Sequence, residues 1–504
     1  MFNILQAKSM RLGTTIPILI LVLVIIVGFF IRINHLGRQS LWIDEGFTIN
    51  AVQATLEHGY PLLDSGEEYW GMPLATYTSA LSVMVFGFDP FSPSSARLPA
   101  VLFGTALILI VFLLTQALFK DKILALLPTI IIAFSAWEIA WSRQVRGYAA
   151  LSFFVILTLW FLWKYFENRK WKYFLYASIA FLGAYLSHSL ALVILPAFAL
   201  VFIARWAFEK DIFKQINLKK ILIYGGLVFI VSIIFFQLAT RMSQLENHGL
   251  NTDYILFLSR ELGIFFYGSI IGSLLGFFDK KRFWPVFTLF ICFGLSTLII
   301  VGYSPLIQFR YLLLVFPLMI IIFSYAIFRL IELSFSFLPQ SFEKFIPAST
   351  FIISLLIALP HLSFFPYSYY NLELGSPQPD FRSVYGLIKQ TKTADDVIIS
   401  PYTHMTNIYL GEKGIWLPIS LTGRASDLQR QIAKGMDHYT GAPLIENEKQ
   451  LSAIIENKKG YIVLDMMATI RLRDQFNQEK LIYPKIKQIY HSGDGLNEIW
   501  LYKF

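Results

Sequence analysis

Hydrophobic positions along this chain run in long blocks, not in the alternating or one-face patterns of a water-soluble fold. Blocks such as Ile16–Ile33 and Ile221–Thr240 reach the ~20 residues that crossing a hydrocarbon core requires. About eleven spanning helices can be drawn, at 16–33, 97–118, 123–141, 147–165, 172–187, 190–208, 221–239, 254–276, 284–303, 310–332 and 347–365. A further apolar run, Met72–Phe88, is shorter. Placing it across the membrane would invert every later connector, so it is expected to lie on the surface as an interfacial helix.

From about Pro366 the pattern changes to mixed polar and apolar residues with frequent turn signals. Phe381, Val384, Tyr385 and Ile388 have helical spacing behind Asp380, an expected N-cap. Val397–Ser400, Ile415–Leu421 and Tyr461–Asp465 read as strands, with helical patterns at 425–435 and 447–457 between them. Ile486–Tyr490 and Glu498–Tyr502, around Asp494-Gly495, read as a hairpin. The expected organisation is a transmembrane domain over 1–365, including a first outer loop at 34–96, and a small soluble α/β domain over 366–504.

Composition and charge then orient the chain. Apolar residues make up 56% and charged residues 15%, against ~25% charged in soluble proteins, so a polytopic membrane protein is predicted. The net charge of +9 is then no argument for nucleic acid; lysines and arginines in such a chain mostly mark cytoplasmic connectors. With the N-terminus inside, lysine clusters fall on one side: Lys120 and Lys122; Lys170 and Lys172; Lys210, Lys214, Lys219 and Lys220; Lys280 and Lys281. The opposite connectors hold no lysine, and their cations are Arg38, Arg97, Arg143, Arg146, Arg241 and Arg310. The single cysteine, Cys292, excludes an intramolecular disulfide. Lys8 and Arg11 precede the first apolar run, which is expected to be a retained anchor.

Three outward stretches can carry chemistry. Ser40-Leu41-Trp42-Ile43-Asp44-Glu45-Gly46 places two adjacent carboxylates after the first span. Asp44 could cap a helix starting at Gly46, with Glu45 in its first turn, or act as a general base at the water–membrane boundary; one residue can do both. The second stretch runs from Trp137 to Tyr148. Arg143 and Arg146 there either snorkel to headgroups or recognise phosphate, for which the planar guanidinium fork suits better than lysine. Glu138 lies a turn deeper and needs a partner. In the third, Gln308-Phe309-Arg310-Tyr311, the dipole of the helix that Arg310 opens does not favour a cation, which points to an external anion. His188 sits at an outer tip, where a structural role is the commoner one. No metal motif and no glycine-rich phosphate loop occurs. A nucleotide donor is therefore not expected, although a divalent cation remains compatible with the sequence.

SLWIDEGFTINA, SSARLPAVLFGTALI, WSRQVRGYAALSFF and FRYLLLVFPL together resemble the family 39-like branch of the GT-C integral-membrane glycosyltransferases. That branch is similar to the protein O-mannosyltransferases and the aminoarabinose lipid A transferases, and the resemblance covers most of 15–320. It implies a polyprenyl-phosphate-linked sugar as donor, inversion at the anomeric centre, and a lipid, glycan or protein hydroxyl as acceptor. It also implies that Asp44 is the base with Glu45 beside it, and that Arg143, Arg146, Arg310 and Tyr311 lie near the donor phosphate. Glu138, His188 and Tyr148 are candidate substrate contacts. The chain departs from the pattern at Gln144, where many relatives carry an acid, and before Pro73, where a lysine is often found.

The expectation is a plasma-membrane glycosyltransferase with its active site and C-terminal domain outside. The rival is a transporter or lipid flippase, against which the nearly charge-free helix interiors and the absence of repeated halves count. A tag inserted beside Asp121 is expected to stay shielded from impermeant reagents; labelling there from outside the cell would invert the orientation.

Overall fold

The computed structural model describes residues 2–209, 252–303, 308–363, 379–418, 435–466, 468–469, 486–492 and 498–504. The expected span at 221–239, the helical pattern at 425–435 and the Asp494-Gly495 turn lie outside these residues. Two compact units emerge. One comprises 1–30, 103–139 and 148–364; the other comprises 31–102, 140–147 and 365–504.

The helices follow the hydrophobic blocks in order: α1 (Phe2–Ile33), α2 (Ile43–His58), α3 (Pro73–Phe86), α4 (Ser94–Phe119), α5 (Lys122–Phe134), α6 (Ala136–Trp141), α7 (Tyr148–Asn168), α8 (Trp171–Ser187) and α9 (Leu195–Glu209). After the undescribed stretch come α10 (Thr252–Arg260), α11 (Gly263–Phe278), α12 (Phe283–Tyr303), α13 (Phe316–Phe335) and α14 (Ile346–Ala358). Among the described residues, six helices are long and apolar enough to cross a membrane, or seven if the bent pair α10–α11 forms one span.

Two of the drawn spans are broken. The expected helix at 123–141 divides at Ser135, whose extended backbone pairs with Leu362, while Ser363 N–H donates to the Phe134 carbonyl at 2.7 Å. A strand-like pairing at that point uses groups the helix would otherwise need. The expected helix at 254–276 bends by 95° between α10 and α11. Within the same unit α11 runs close against α13. A Cβ on Gly272 would stand 2.5 Å from the Ile322 carbonyl oxygen, so only glycine permits this approach.

In the second unit α3 starts with Pro73 in its first turn, where the missing N–H is not needed. It buries Ala75, Thr76, Ser79, Ala80 and Val83 while exposing Leu81, Met84, Val85 and Phe86. That apolar exposed face is what an interfacial helix requires. Asp380 caps α15 (Phe381–Thr391) as expected, accepting from Ser383 N–H at 3.2 Å.

Five strands, β1 (Val397–Ser400), β2 (Ile415–Trp416), β3 (Gly460–Asp465), β4 (Lys487–Ser492) and β5 (Ile499–Lys503), form one sheet in the order β2-β1-β3-β5-β4. β1 is parallel to β2 and β3, whereas β5 is antiparallel to β3 and β4. β3 is buried along its whole length, as a central strand covered on both faces should be. Among the described residues the segment also holds the helices α16 (Thr403–Leu410) and α17 (Glu448–Asn457). Its core is continuous with that of the first loop: Leu41, Ile49, Val52, Val83 and Val145 share one apolar cluster with Phe381, Tyr385, Met405, Tyr409 and Ile462.

Candidate active site

The acidic pair folds differently from its capping expectation. α2 begins at Ile43, three residues before Gly46, and Trp42 occupies the N-cap position. Asp44 therefore lies inside the first turn. The capping work falls to Glu45, whose Oε2 accepts the Trp42 N–H at 3.0 Å. The reason is Arg97, at the start of α4. Its Nε donates to Glu45 Oε1 at 2.9 Å and its Nη2 to Oε2 at 2.7 Å, a bidentate pair with side chains 1% and 0% exposed. Val145 N–H adds a fourth donor to Oε1 at 2.8 Å. The remaining Arg97 hydrogens go to the carbonyls of Leu36, Gln39 and Ser40. Glu45 is thus enclosed and fully engaged.

Asp44 has a different setting. Its carboxylate is 25% exposed and its Oδ2 lies 3.6 Å from Nη2 of Arg146. Arg146 Nη1 donates to the Asp44 carbonyl at 3.0 Å, to Thr48 Oγ1 at 3.1 Å and to the Tyr69 hydroxyl at 3.1 Å. Arg146 comes from a tight turn, with its own N–H on the Gln144 carbonyl at 2.7 Å. Arg143, three residues earlier, is turned elsewhere. Its Nη1 donates to the carbonyls of Arg32 (2.6 Å) and Asn34 (2.7 Å), and its Nη2 to that of His35 (3.2 Å). A cation there meets the exposed carbonyls at the end of α1, where the helix dipole favours it. Gln144 is buried beside it.

The other candidates gather in the other unit. Tyr148 opens α7, and the Arg310 guanidinium stands over its ring, 5.6 Å from the centroid. The His188 ring is 5.2 Å from that of Tyr148 and 6.0 Å from that of Tyr311, edge to face. His188 ends α8 in extended backbone, and its Nδ1 accepts the Leu190 N–H at 2.9 Å. The proton of the neutral ring is therefore on Nε2. Arg310 and Tyr311 stand on a 3₁₀ turn, Phe309–Leu314, ahead of α13 and not within it. Tyr254 of α10 holds that turn. Its hydroxyl accepts from Gln308 N at 2.9 Å and donates to Gln308 O at 3.2 Å, while Phe309 stacks on Phe257 at 4.4 Å. Glu138, on α6, is buried next to Trp137, which packs against Phe257 and Phe316.

Three participants were not singled out from sequence for this role: Tyr69, Thr48 and His404. Thr48 lies one helical turn after Asp44, a spacing visible in the sequence. Nothing local marked His404, which enters from α16, about 360 residues along the chain. Its Nε2 lies 3.0 Å from the Ile43 carbonyl and its ring stacks on Phe47 at 4.1 Å. Burial pushes its pKa down to about 4, against the opposing pull of Asp437, the Ile43 carbonyl and Asp44. Burial also raises the pKa of Asp64, countered by the amide of Asn407 and by Lys413. Among the described residues, no three His, Cys, Asp or Glu side chains gather as a metal site would require. Of the acidic pair, Glu45 is committed to Arg97, and a guanidinium stands beside Asp44.

Comparisons with known proteins bear on the fold. A family model described as dolichyl-phosphate-mannose-protein mannosyltransferase matches residues 71–237. An uncharacterised protein of Aquifex aeolicus (strain VF5) is 27% identical over 201 residues, 39% of this chain and 39% of that protein's length. Among solved structures, ArnT from Cupriavidus metallidurans in the apo state superposes with a TM-score of 0.56 at 13% identity, covering 97% of this chain and 98% of its own. The same protein bound to undecaprenyl phosphate gives 0.57 at 14% identity, with 96% and 97% covered. The archaeal oligosaccharyltransferase AglB from Archaeoglobus fulgidus, in complex with an inhibitory peptide and a dolichol-phosphate, gives 0.58 at 15% identity, with 89% and 69% covered.

Two outcomes follow. Arg97→Met leaves the Glu45 carboxylate buried without its partner and is expected to cost ~3–5 kcal/mol of stability, read as a fall in melting temperature in detergent that Asp44→Asn does not share. In the pH range between the ordinary histidine value of ~6.5 and about 4, the unfolded chain binds a proton at His404 that the folded chain does not. Stability therefore declines as pH falls through that window, and His404→Gln is expected to flatten the decline. Over most of its length the chain shares the fold of ArnT and AglB.

Proposed function

We propose that this chain is an inverting glycosyltransferase that moves a sugar from a polyprenyl-phosphate-linked donor to a hydroxyl acceptor at the outer face of the plasma membrane. The observation that carries the reading is the contrast within the acidic pair. Glu45 is consumed by Arg97, while Asp44 is partly exposed on a turn fixed from several sides. A carboxylate held this way is suited to general-base catalysis, which supplies ~10²–10⁴ in rate. The donor class is supported by relatives solved with undecaprenyl phosphate and with dolichol-phosphate.

In the proposed reaction the acceptor oxygen forms a bond to the anomeric carbon as the bond from that carbon to the phosphate oxygen breaks. The acceptor proton passes to Asp44, and the lipid phosphate departs with the electron pair. Arg310, with Tyr311 beside it, is assigned to the phosphate, where fixed cationic donors stabilise the developing charge. Arg146 orients Asp44 through its carbonyl and carboxylate, and is itself placed by Thr48 and Tyr69. Arg143 is assigned to the end of α1 and Glu45 to holding the turn, so neither enters the chemistry directly. His188, Tyr148 and Glu138 remain second-rank candidates for contact with the donor.

The test is transfer from labelled polyprenyl-phosphate sugars in isolated membranes. Asp44→Asn is expected to lose at least ~10²-fold in turnover, and Arg310→Ala to weaken donor use while the protein still folds. Undiminished transfer by Asp44→Asn would remove Asp44 as the base. Movement of labelled lipid across sealed vesicles with no covalent product would replace the transferase with a transporter.

A further inference from the structure

The turn that carries Asp44 is restrained on one side by Glu45, through Trp42 and Val145 N–H, and by Arg146 on the Asp44 carbonyl. A third restraint comes from the C-terminal segment. His404 Nε2 lies 3.0 Å from the carbonyl of Ile43, the first residue of α2. A carbonyl can only accept, so Nε2 carries the proton and donates. Burial keeps the ring neutral, so this donor is supplied by one tautomer, with the charged groups Asp437 and Asp44 nearby.

The contact is tightly specified. The imidazole lies against the Phe47 ring at 4.1 Å, tilted by 25°, and the other members of that stack follow through Tyr439, 4.4 Å from Phe47. A Cβ at position 46 would stand 2.5 Å from His404 Cδ2 and 2.8 Å from Met405 Sδ, so glycine is what lets α16 reach the backbone of α2 here. The start of α16 is itself anchored. Thr403 Oγ1 bonds Asp437 Oδ2 at 2.6 Å and Thr440 Oγ1 at 2.7 Å. Asp44 is thus flanked by a backbone oxygen held by His404 and a ring, Phe47, held by the same imidazole.

We propose that His404 is a positioning residue for Asp44: its Nε2–H, delivered by the C-terminal segment, fixes the first turn of α2 so that the neighbouring carboxylate keeps one orientation. This rests on the reading of Asp44 as the base. It gives the C-terminal segment a part in catalysis without contact with the reacting atoms.

Two variants of the full-length protein separate the N–H from the ring. His404→Phe keeps a flat ring against Phe47 and removes the donor; His404→Gln removes the ring and keeps an N–H at similar reach. Transfer from labelled polyprenyl-phosphate sugars gives kcat and KM, and amide hydrogen exchange of the 42–48 segment reports the turn directly. His404→Phe is expected to lower kcat by about 10–100-fold, the scale on which a ~1 Å misplacement acts, to leave the donor KM unchanged, and to speed exchange in that segment. His404→Gln is expected to restore both readouts. Full turnover in His404→Phe, or equal losses in both variants, would overturn the proposal, the second because packing of the ring would then be the whole effect. If the wild type transfers no sugar, the glycosyltransferase reading itself fails, and the exchange data alone decide whether His404 holds the turn: faster exchange in His404→Phe with recovery in His404→Gln keeps that role, and unchanged exchange removes it.

Discussion

The Glu45–Arg97 pair is the interaction on which the candidate site depends. A carboxylate and a guanidinium removed from water carry a desolvation penalty of several kcal/mol each, recovered only when geometry is good and the remaining hydrogen-bonding positions are filled. Here they are filled. Glu45 receives Arg97 twice, Trp42 N–H and Val145 N–H, and Arg97 spends its other hydrogens on three carbonyls of the 36–40 stretch. The consequence is geometric more than energetic. The pair ties the first loop, the head of α4 and the second loop to one point, and any displacement of one of them leaves a buried charge exposed to nothing. Asp44, the next residue along, inherits that rigidity.

Arginine does three different jobs in this unit, and for Arg97 and Arg143 its chemistry explains why lysine would not serve. Arg97 needs a planar fork to meet both oxygens of one carboxylate; Arg143 spreads its donors over the carbonyls that end α1; Arg146 reaches a carbonyl, a hydroxyl and a phenol from one nitrogen. A lysine offers three donors around a single point and no fork. Of the arginines expected near a phosphate, Arg143 and Arg146 are bonded to groups of the protein itself. Arg310, proposed for the phosphate, stands over the ring of Tyr148, with His188 between the rings of Tyr148 and Tyr311.

Much of the helical framework was legible because hydrophobic blocks are long and unambiguous. Most drawn segments within the described residues are helical; the exceptions are the breaks at Ser135 and between α10 and α11, the 3₁₀ start of the 310–332 segment, and Leu362 and Ser363 at the end of 347–365. Those breaks escaped notice because backbone pairing with Leu362, or a bend across a two-residue gap, leaves the hydrophobicity of the segment unchanged. The strand assignments for β1 and β3 and for the terminal hairpin followed from β-branched runs between turn residues. The helix starts three residues before Gly46, and its N-cap lies two residues before Asp44, for a plain reason. A capping acid is usually recognised from the position before the apolar pattern, yet Glu45 caps from within the helix, at N3, once Arg97 neutralises it.

By itself the sequence determined that the chain is a multi-helical membrane protein with a mixed α/β segment at its end, and that arginines and an acidic pair stand in the connectors between its apolar blocks. Those conclusions rest on hydrophobic length, charge sign and residue type, all local properties. Which carboxylate is sealed and which is accessible was decided only by tertiary structure, because Asp44 and Glu45 are neighbours with the same chemistry and differ only in what other segments bring to them. Arg97 and Arg146 come from 52 and 102 residues away, and His404 lies 361 residues from Ile43. Burial and hydrogen-bond geometry at such separations carry no signature in the intervening sequence.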